Sequence, residues 1–315
     1  MNLLKIGLAQ ITPVWFNQGK TLEKVFDFVN DAAAQNCELV AFGEACVPGY
    51  PFWLDLTGGA NFNSPLQKEF YAEYANQAVQ IERGDLQTLC DLAGQKRIAV
   101  YLGTIERPLE RGGHSLYCSL IYINQAGEIG SVHRKLMPTY EERLAWSIGD
   151  GNGLRVHTLG AFTIGGLNCW ENWMPLARTA LYAQGEDFHL CAFPGSRRNT
   201  DDITRFIAKE SRSFVASVCC VMKKTDFPPE TIHLDKITKN APENLTNGGS
   251  CLASPDGEWL IEPFVGEEKL LTATLDHKKV REERQNFDSV GHYSRPDVLQ
   301  LTVNRERQKS IKINE

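Results

Sequence analysis

Three apolar stretches of the chain run into side chains that can do chemistry. "LVAFGEACVPGYP" reaches Glu44, "GSVHRKLMPTYEERLAW" carries Lys135 and then Glu142, and "GGLNCWENWMPLARTAL" carries Cys169. A cysteine attacks carbon as a thiolate, and a helix starting just after it is expected to lower its pKa. It also needs a base. The seven histidines are dispersed and none stands in a stretch that looks catalytic, so a glutamate whose pKa is raised by burial is the candidate. A lysine can hold the negative charge that develops on a substrate heteroatom. Glu44, Lys135 and Cys169 together supply a base, a charge stabiliser and a nucleophile. Each has a plainer alternative. Glu44 could be a solvated strand end, Lys135 beside His133 and Arg134 could be surface charge, and Cys169 could fill the core.

The elements that must position these groups alternate between strand and helix signals. "LLKIGLAQI" is an apolar run, followed by a stretch in which Leu22, Val25, Phe26, Val29, Ala32 and Ala33 share one helical face. "CELVAF" is the next strand and delivers Glu44. The second half repeats the scheme. "AFTIGGLNC" reads as a strand, Pro175 suits the first turn of a helix, and Leu176, Ala177, Ala180 and Leu181 form its apolar face. Gly185 is placed to end that helix, and "DFHLCAFPGS" is the following strand. Between the halves, "RIAVYLGTIE" and "SLYCSLIYINQAGEIGSVHRK" are β-rich. A helix around 200–216, a strand "SVCCVM", a hairpin on Pro255-Asp256-Gly257, a strand "KLLTATL" and a charged helix "HKKVREERQNF" complete the chain's body. The polar, Pro-containing segment 223–248 is expected to be a surface loop. No linker separates two domains, so one α/β domain with mixed strands is expected.

Bulk composition agrees with a soluble globular protein. Of the 315 residues, 42% are hydrophobic and 23% charged. A net charge of −6, from 33 basic and 39 acidic residues, argues against nucleic acid or an anionic membrane as partner, since both need clustered cations. No apolar run reaches the roughly 18 residues of a spanning helix, and the N-terminus reads as a strand rather than a signal peptide. The nine cysteines are scattered, odd in number and without a C-x-x-C pair. They suggest neither a disulfide framework nor a thiolate zinc site, but reduced, mostly buried thiols in the cytoplasm.

The three motifs, in this order and spacing, resemble those of the nitrilase superfamily of carbon–nitrogen hydrolases. The matching stretches are "AFGEACVPGYP", "HRKLMPTYEER" and "GGLNCWENWMPLAR". "NGGSCLASPDG" and "DSVGHYSRPDVLQL" resemble later family segments, so the likeness spans nearly the whole chain. The resemblance implies a four-layer α-β-β-α sandwich with a Glu44–Lys135–Cys169 triad, and Glu142 as the second glutamate that positions the lysine and substrate. Cys-Trp-Glu is similar to the true nitrilase branch, whereas many relatives have Pro at Gly43 and many nitrilases have His at Asn172. It implies a hydrolase domain over 1–287 and a C-terminal tail over 288–315 at a subunit interface, in a homodimer or a longer spiral.

The reaction implied is hydrolysis of an organic nitrile to the acid and ammonia through a thioimidate and a thioester on Cys169, with no cofactor and no metal. The Trp170 backbone N–H and Lys135 would hold the charge formed on addition. Gly165 and Gly166 would let the strand pack closely against neighbouring backbone. An amidase or carbamoylase with the same triad, and a catalytically silent binding member of the fold, are the alternatives. A papain-like Cys–His enzyme stands further off, because Cys169 lacks that local signature. Trp53, Tyr140, Trp146, Asn172 and Trp173 lie near the motifs and are candidates for the substrate pocket, with core packing as the alternative for the aromatics. In the tail, Leu299, Leu301 and Val303 alternate as on one face of a strand.

Overall fold

A computed structural model describes residues 2–311; the last four residues of the expected tail lie outside them. Among these residues, thirteen strands and eight α-helices follow one another. The strands are β1 (Leu3–Gln10), β2 (Leu39–Phe42), β3 (Ala99–Glu106), β4 (Tyr117–Ile123), β5 (Ile129–Arg134), β6 (His157–Leu159) and β7 (Phe162–Asn168), then β8 (Phe188–Phe193), β9 (Phe214–Cys219), β10 (Val221–Lys223), β11 (Asn244–Ala253), β12 (Trp259–Val265) and β13 (Lys269–Asp276). The helices are α1 (Gln18–Ala34), α2 (Trp53–Leu56), α3 (Pro65–Asn76), α4 (Gln87–Lys96), α5 (Pro175–Tyr182), α6 (Asp201–Ser211), α7 (Leu234–Asn240) and α8 (Lys278–Arg284).

The strands form two sheets. The first runs β13-β1-β2-β3-β4-β5; the second runs β10-β11-β9-β8-β7-β6, with β12 also paired to β11. Strands β1, β2 and β3 are parallel, as are β7, β8 and β9, and the flanking strands are antiparallel. The sheet is therefore mixed, and the echo between the halves is two strand–helix–strand units, one per sheet.

Period-two alternation explains the layering. Leu39 and Ala41 of β2 face the opposite sheet, joining Ile6, Tyr101 and Leu120 against Ile164, Leu190 and Ala216. Val40 and Phe42 point the other way, onto Val25 and Val29 of α1 and Leu89 of α4. On the far side, Ile203 and Ile207 of α6 cover Cys191 and Val215. The result is the expected α-β-β-α sandwich.

Several local readings change. The segment 223–248 holds α7 and the start of β11, because Ile237 anchors it to an aromatic cluster around Trp53, Phe70 and Tyr74. Leu176 does not belong to the buried face of α5 but is 67% exposed. The tail forms no strand among its described residues. Instead, residues 303–308 cross the β5 side of the molecule. Val303 packs with Leu154, Leu167 and Ala177, and Arg307 donates to Asp150 Oδ1 at 3.0 Å and to Val132 O at 2.8 Å. All nine cysteines are buried free thiols. Among the described residues, no helix is long and apolar enough to cross a membrane.

Candidate active site

Glu44, Lys135, Glu142 and Cys169 come from three separate strand exits and meet in one buried cluster, each 5% exposed or less. Glu44 lies two residues beyond β2, where its backbone N–H donates to Phe193 O in the other sheet at 3.1 Å. Lys135 immediately follows β5, and its N–H donates to Cys118 O of β4 at 2.8 Å. Glu142 sits in a 3₁₀ turn, Tyr140–Leu144. Cys169 opens another 3₁₀ turn, Cys169–Trp173, after β7.

The three exits share a backbone habit. Ala45, Tyr140 and Cys169 all adopt a left-handed conformation, with φ of 50°, 42° and 45°. That region costs an L-residue roughly 1–2 kcal/mol, so each sharp turn must be held from outside. Such turns swing the side chains out of the sheet direction and toward one another.

Lys135 is the hub. Its Nζ lies 2.7 Å from Glu44 Oε1 and 2.7 Å from Glu142 Oε2, over the Trp146 ring at 5.4 Å. Glu142 Oε2 also accepts from the Thr139 N–H at 2.6 Å, and Glu142 Oε1 accepts from Tyr50 Oη at 2.8 Å. Cys118 Sγ donates to Glu44 Oε1 at 3.5 Å. Both glutamates are thus fixed around one ammonium.

Electrostatics set distinct protonation states. Burial pushes the Glu44 carboxyl up and the Lys135 charge pulls it back, leaving it at about 7. Burial alone would lower Lys135, but Glu44, Cys169 and Glu142 together more than reverse this and hold it well above the usual lysine range. Burial, reinforced by the Glu44 charge, pushes the Cys169 thiol well above its ordinary value, although Lys135 and the Trp170 backbone N–H work the other way. The expected lowering by a helix N-terminus is therefore overturned. The α-helix starts only at Pro175, and a five-residue 3₁₀ turn stands between. The resting group is a thiol beside a carboxyl poised near neutrality.

A cavity of about 270 Å³ opens over this cluster, with Cys169 and Glu142 among its lining residues. Its walls include Tyr50, Phe52, Trp170, Pro194, Arg198 and Leu245. The other proposed pocket residues are elsewhere. Trp53 is buried against Phe16, Phe70 and Tyr74. Trp146 lies beneath Lys135 and edge-on to Tyr50. Tyr140 and Trp173 are 81% and 49% exposed and do not line the cavity. Asn172 is buried under the Cys169 turn, where Nδ2 donates to Cys169 O at 2.8 Å.

Residues that sequence reasoning did not single out complete the site. Tyr50 has a visible signal, since it follows Glu44 on the same strand exit. Cys118 has none, because only the β3–β4–β5 pairing brings it to Glu44. Glu171 ties two exits together. It accepts from Leu136 N at 2.7 Å and Asn168 N at 2.9 Å, next to Lys135 and Cys169 respectively, and pairs with His133. Burial opposes its charge, but His133 and these N–H groups hold its carboxyl below the usual range. The cluster can accept a proton from sulfur, present a nucleophile to a small electrophile and neutralise the anion that forms.

The model of a family described as "Carbon-nitrogen hydrolase" matches residues 5–285. Nitrilase 2 of Arabidopsis thaliana is 35% identical, over 98% of this chain and 91% of its own length. An aliphatic nitrilase of Sinorhizobium fredii is 33% identical over 99% of both chains. A bifunctional nitrilase/nitrile hydratase of Lupinus angustifolius is 33% identical over 95% of this chain and 86% of its own length. Among solved structures, an amidase from Nesterenkonia sp. superposes with a TM-score of 0.64 at 18% identity, covering 90% of this chain and 94% of that one. That likeness is one of fold.

Proposed function

The chain belongs to the carbon–nitrogen hydrolase family, and from there we propose that it is a nitrilase, hydrolysing a small organic nitrile to the carboxylic acid and ammonia. The observation that carries this reading is the buried cluster in which Lys135 joins Glu44 and Glu142 at 2.7 Å beside Cys169, in a chain about one-third identical to nitrilases over its full length.

Glu44, near neutrality, takes the Cys169 proton as sulfur adds to the nitrile carbon. Lys135 and the Trp170 N–H stabilise the charge on the substrate nitrogen, and Glu44 passes the proton it took from sulfur to that nitrogen, which gives a neutral thioimidate and restores the Glu44 carboxylate. Glu44 then activates water for addition to the thioimidate carbon. The nitrogen leaves as ammonia, protonated from Glu44 or Glu142, and a thioester remains. A second water, activated the same way, releases the acid and returns the proton to sulfur. Should the tetrahedral intermediate expel sulfur instead of ammonia, the product is the amide. The relative named bifunctional is consistent with such branching in the family.

Self-association goes with this reading. Trp173 at the end of the Cys169 turn, Met174, Leu176 in the first turn of α5, and Phe206 of α6 are exposed apolar residues, and a second copy would cover them. The docked tail lies against α5 through Val303, beside such a contact. A reducing compartment, the cytoplasm, suits a nucleophile accompanied by eight other free thiols.

The test compares ammonia release from aliphatic, aryl and arylacetonitriles with release from the matching amides. Faster turnover of a nitrile than of its amide is expected, and the reverse would make the enzyme an amidase or carbamoylase. Cys169→Ala should abolish turnover and remain folded. Cys46→Ala and Cys251→Ala should retain substantial activity. An active, pure Cys169→Ala protein would end the nucleophile assignment.

A further inference from the structure

The Cys169–Trp170 peptide has two ends with separate duties. Its N–H reaches the thiol and is the backbone donor proposed for the anionic adduct. Its C=O accepts from Asn172 Nδ2 at 2.8 Å, and the same amide donates to Leu167 O at 3.2 Å. Asn172 Oδ1 faces His189 Nε2 at 2.8 Å. An amide oxygen only accepts, so Nε2 must carry a proton. On the other side of the ring, Nδ1 lies 2.9 and 3.0 Å from the two oxygens of Glu186. Glu186, His189 and Asn172 are all fully buried, and none of them lines the cavity.

We propose that Glu186, His189 and Asn172 form a buried relay that positions and polarises the Cys169–Trp170 peptide, strengthening its N–H as a donor to the anion formed when sulfur adds to substrate. The inference rests on Cys169 being the nucleophile. Hydrogen bonds in series polarise one another, and a peptide whose C=O is engaged by a strong donor has a more acidic N–H. The same bonds brace the left-handed backbone of Cys169, which needs outside support.

Two further observations agree. Burial pulls the His189 imidazole down, and Glu186 and Cys191 together, through charge and hydrogen bonds, more than reverse this, to about 10. The ring is therefore a donor at both nitrogens around neutral pH. A Cβ on Gly165 would run into Glu186 Oε1. The glycine in the strand leading to the nucleophile thus leaves room for the last carboxylate of the relay. A buried charged pair is costly to maintain for packing alone, yet this one points along a chain of bonds to the reacting thiol's own peptide.

Three measurements on His189→Leu test the relay: nitrile kcat and KM, affinity for an aldehyde that forms a thiohemiacetal on Cys169, and the rate of Cys169 alkylation by iodoacetamide. The kcat should fall roughly 10- to 100-fold, somewhat less than loss of a whole oxyanion donor costs, while KM stays within about twofold. Aldehyde affinity should fall by a similar factor. Alkylation should fall far less than kcat, by no more than about threefold, because displacement of iodide by sulfur forms no oxyanion and loses only the weaker N–H contact to the thiol. His189→Gln, whose side-chain amide can still donate to Asn172, should recover most of the loss. If His189→Leu fails to fold, Asn172→Ala takes its place in the same three measurements. An unchanged kcat overturns the relay, and so does a kcat that falls together with the alkylation rate, since the cluster would then merely hold the fold. Failure of the underlying reading looks different: wild-type enzyme would form no aldehyde adduct at Cys169, whatever residue 189 is.

Discussion

At the scale of single residues, the site works by keeping its groups in unlike protonation states. Glu44 titrates at about 7 because burial raises it and Lys135 restrains it, whereas the thiol and Lys135 both lie well above their ordinary values. In the mechanism we propose, its carboxylate form is the base. Activity is therefore present above pH 7 and falls as pH drops through about 7 and the carboxyl takes up a proton, approaching tenfold per unit at lower pH. Neither Lys135 nor Cys169 adds an alkaline limb below about pH 9. A profile of kcat/KM against pH checks this, and a midpoint near 4.5, the value of an unperturbed glutamate, would remove Glu44 from the base role. The four side chains that meet in this cluster were legible in the sequence because each ends or follows an apolar strand run, where a charged or nucleophilic group is conspicuous. Asn172 and the tryptophans were misplaced because proximity along the chain says nothing of which side of a turn a residue faces. Asn172 shares the Cys169 turn yet points beneath it, to His189.

At the scale of elements, the seam between the sheets is as constrained as the site. Gly43 lies where the backbones of the two sheets converge, and a Cβ there would fall 2.8 Å from Phe193 O and 2.9 Å from Cys220 N. Both are backbone atoms on strands or strand ends and cannot swing aside. Gly43→Ala should therefore cost about 1–3 kcal/mol, as overpacking does, and should also displace Glu44, the next residue. Thermal melting with kcat would register both. A variant as stable and active as wild type would mean that the seam opens freely. The strand–helix–strand units were legible from period-two and helical spacing. The cavity wall was not. Pro194, Arg198 and Leu245 line it, but they come from the β8 exit and from the segment expected to be a surface loop. Polar composition hid α7, whose hold on the body comes through Ile237 and neighbouring aromatics rather than through a periodic apolar face.

At the scale of the whole molecule, two sheets face to face place every functional exit at one rim, and the tail braces that rim from behind. The Gly149 N–H donates to Lys135 O at 2.8 Å, the neighbouring Asp150 pairs with Arg307, and Gln308 N donates to Asp150 Oδ2 at 2.9 Å. A protein ending at Asp288 loses these links and uncovers the cluster around Leu154 and Ala177. It should melt lower, by about 2–4 °C for each kcal/mol lost in a chain of this size. It should also turn over more slowly and assemble into smaller particles by light scattering. Full activity and full particle size in that protein would make the tail dispensable to both. The alternation in the tail suggested a strand, but Arg307 engages the β5 backbone through its side chain, so the segment crosses that edge instead of pairing along it.

The protonated state of Cys169 has a consequence for durability. Peroxide attacks thiolates, and a buried thiol held well above its ordinary value offers few of them. An enzyme with a standing thiolate would drift toward sulfenic and then irreversible sulfinic acid in air. In the mechanism we propose, this one creates its nucleophile only as Glu44 accepts the proton during attack. The idle enzyme should therefore survive dilute hydrogen peroxide far longer than an enzyme whose thiol ionises at neutral pH, with inactivation followed by the mass gain at Cys169. Rapid oxidation at pH 7 would mean that the proton had already left the sulfur.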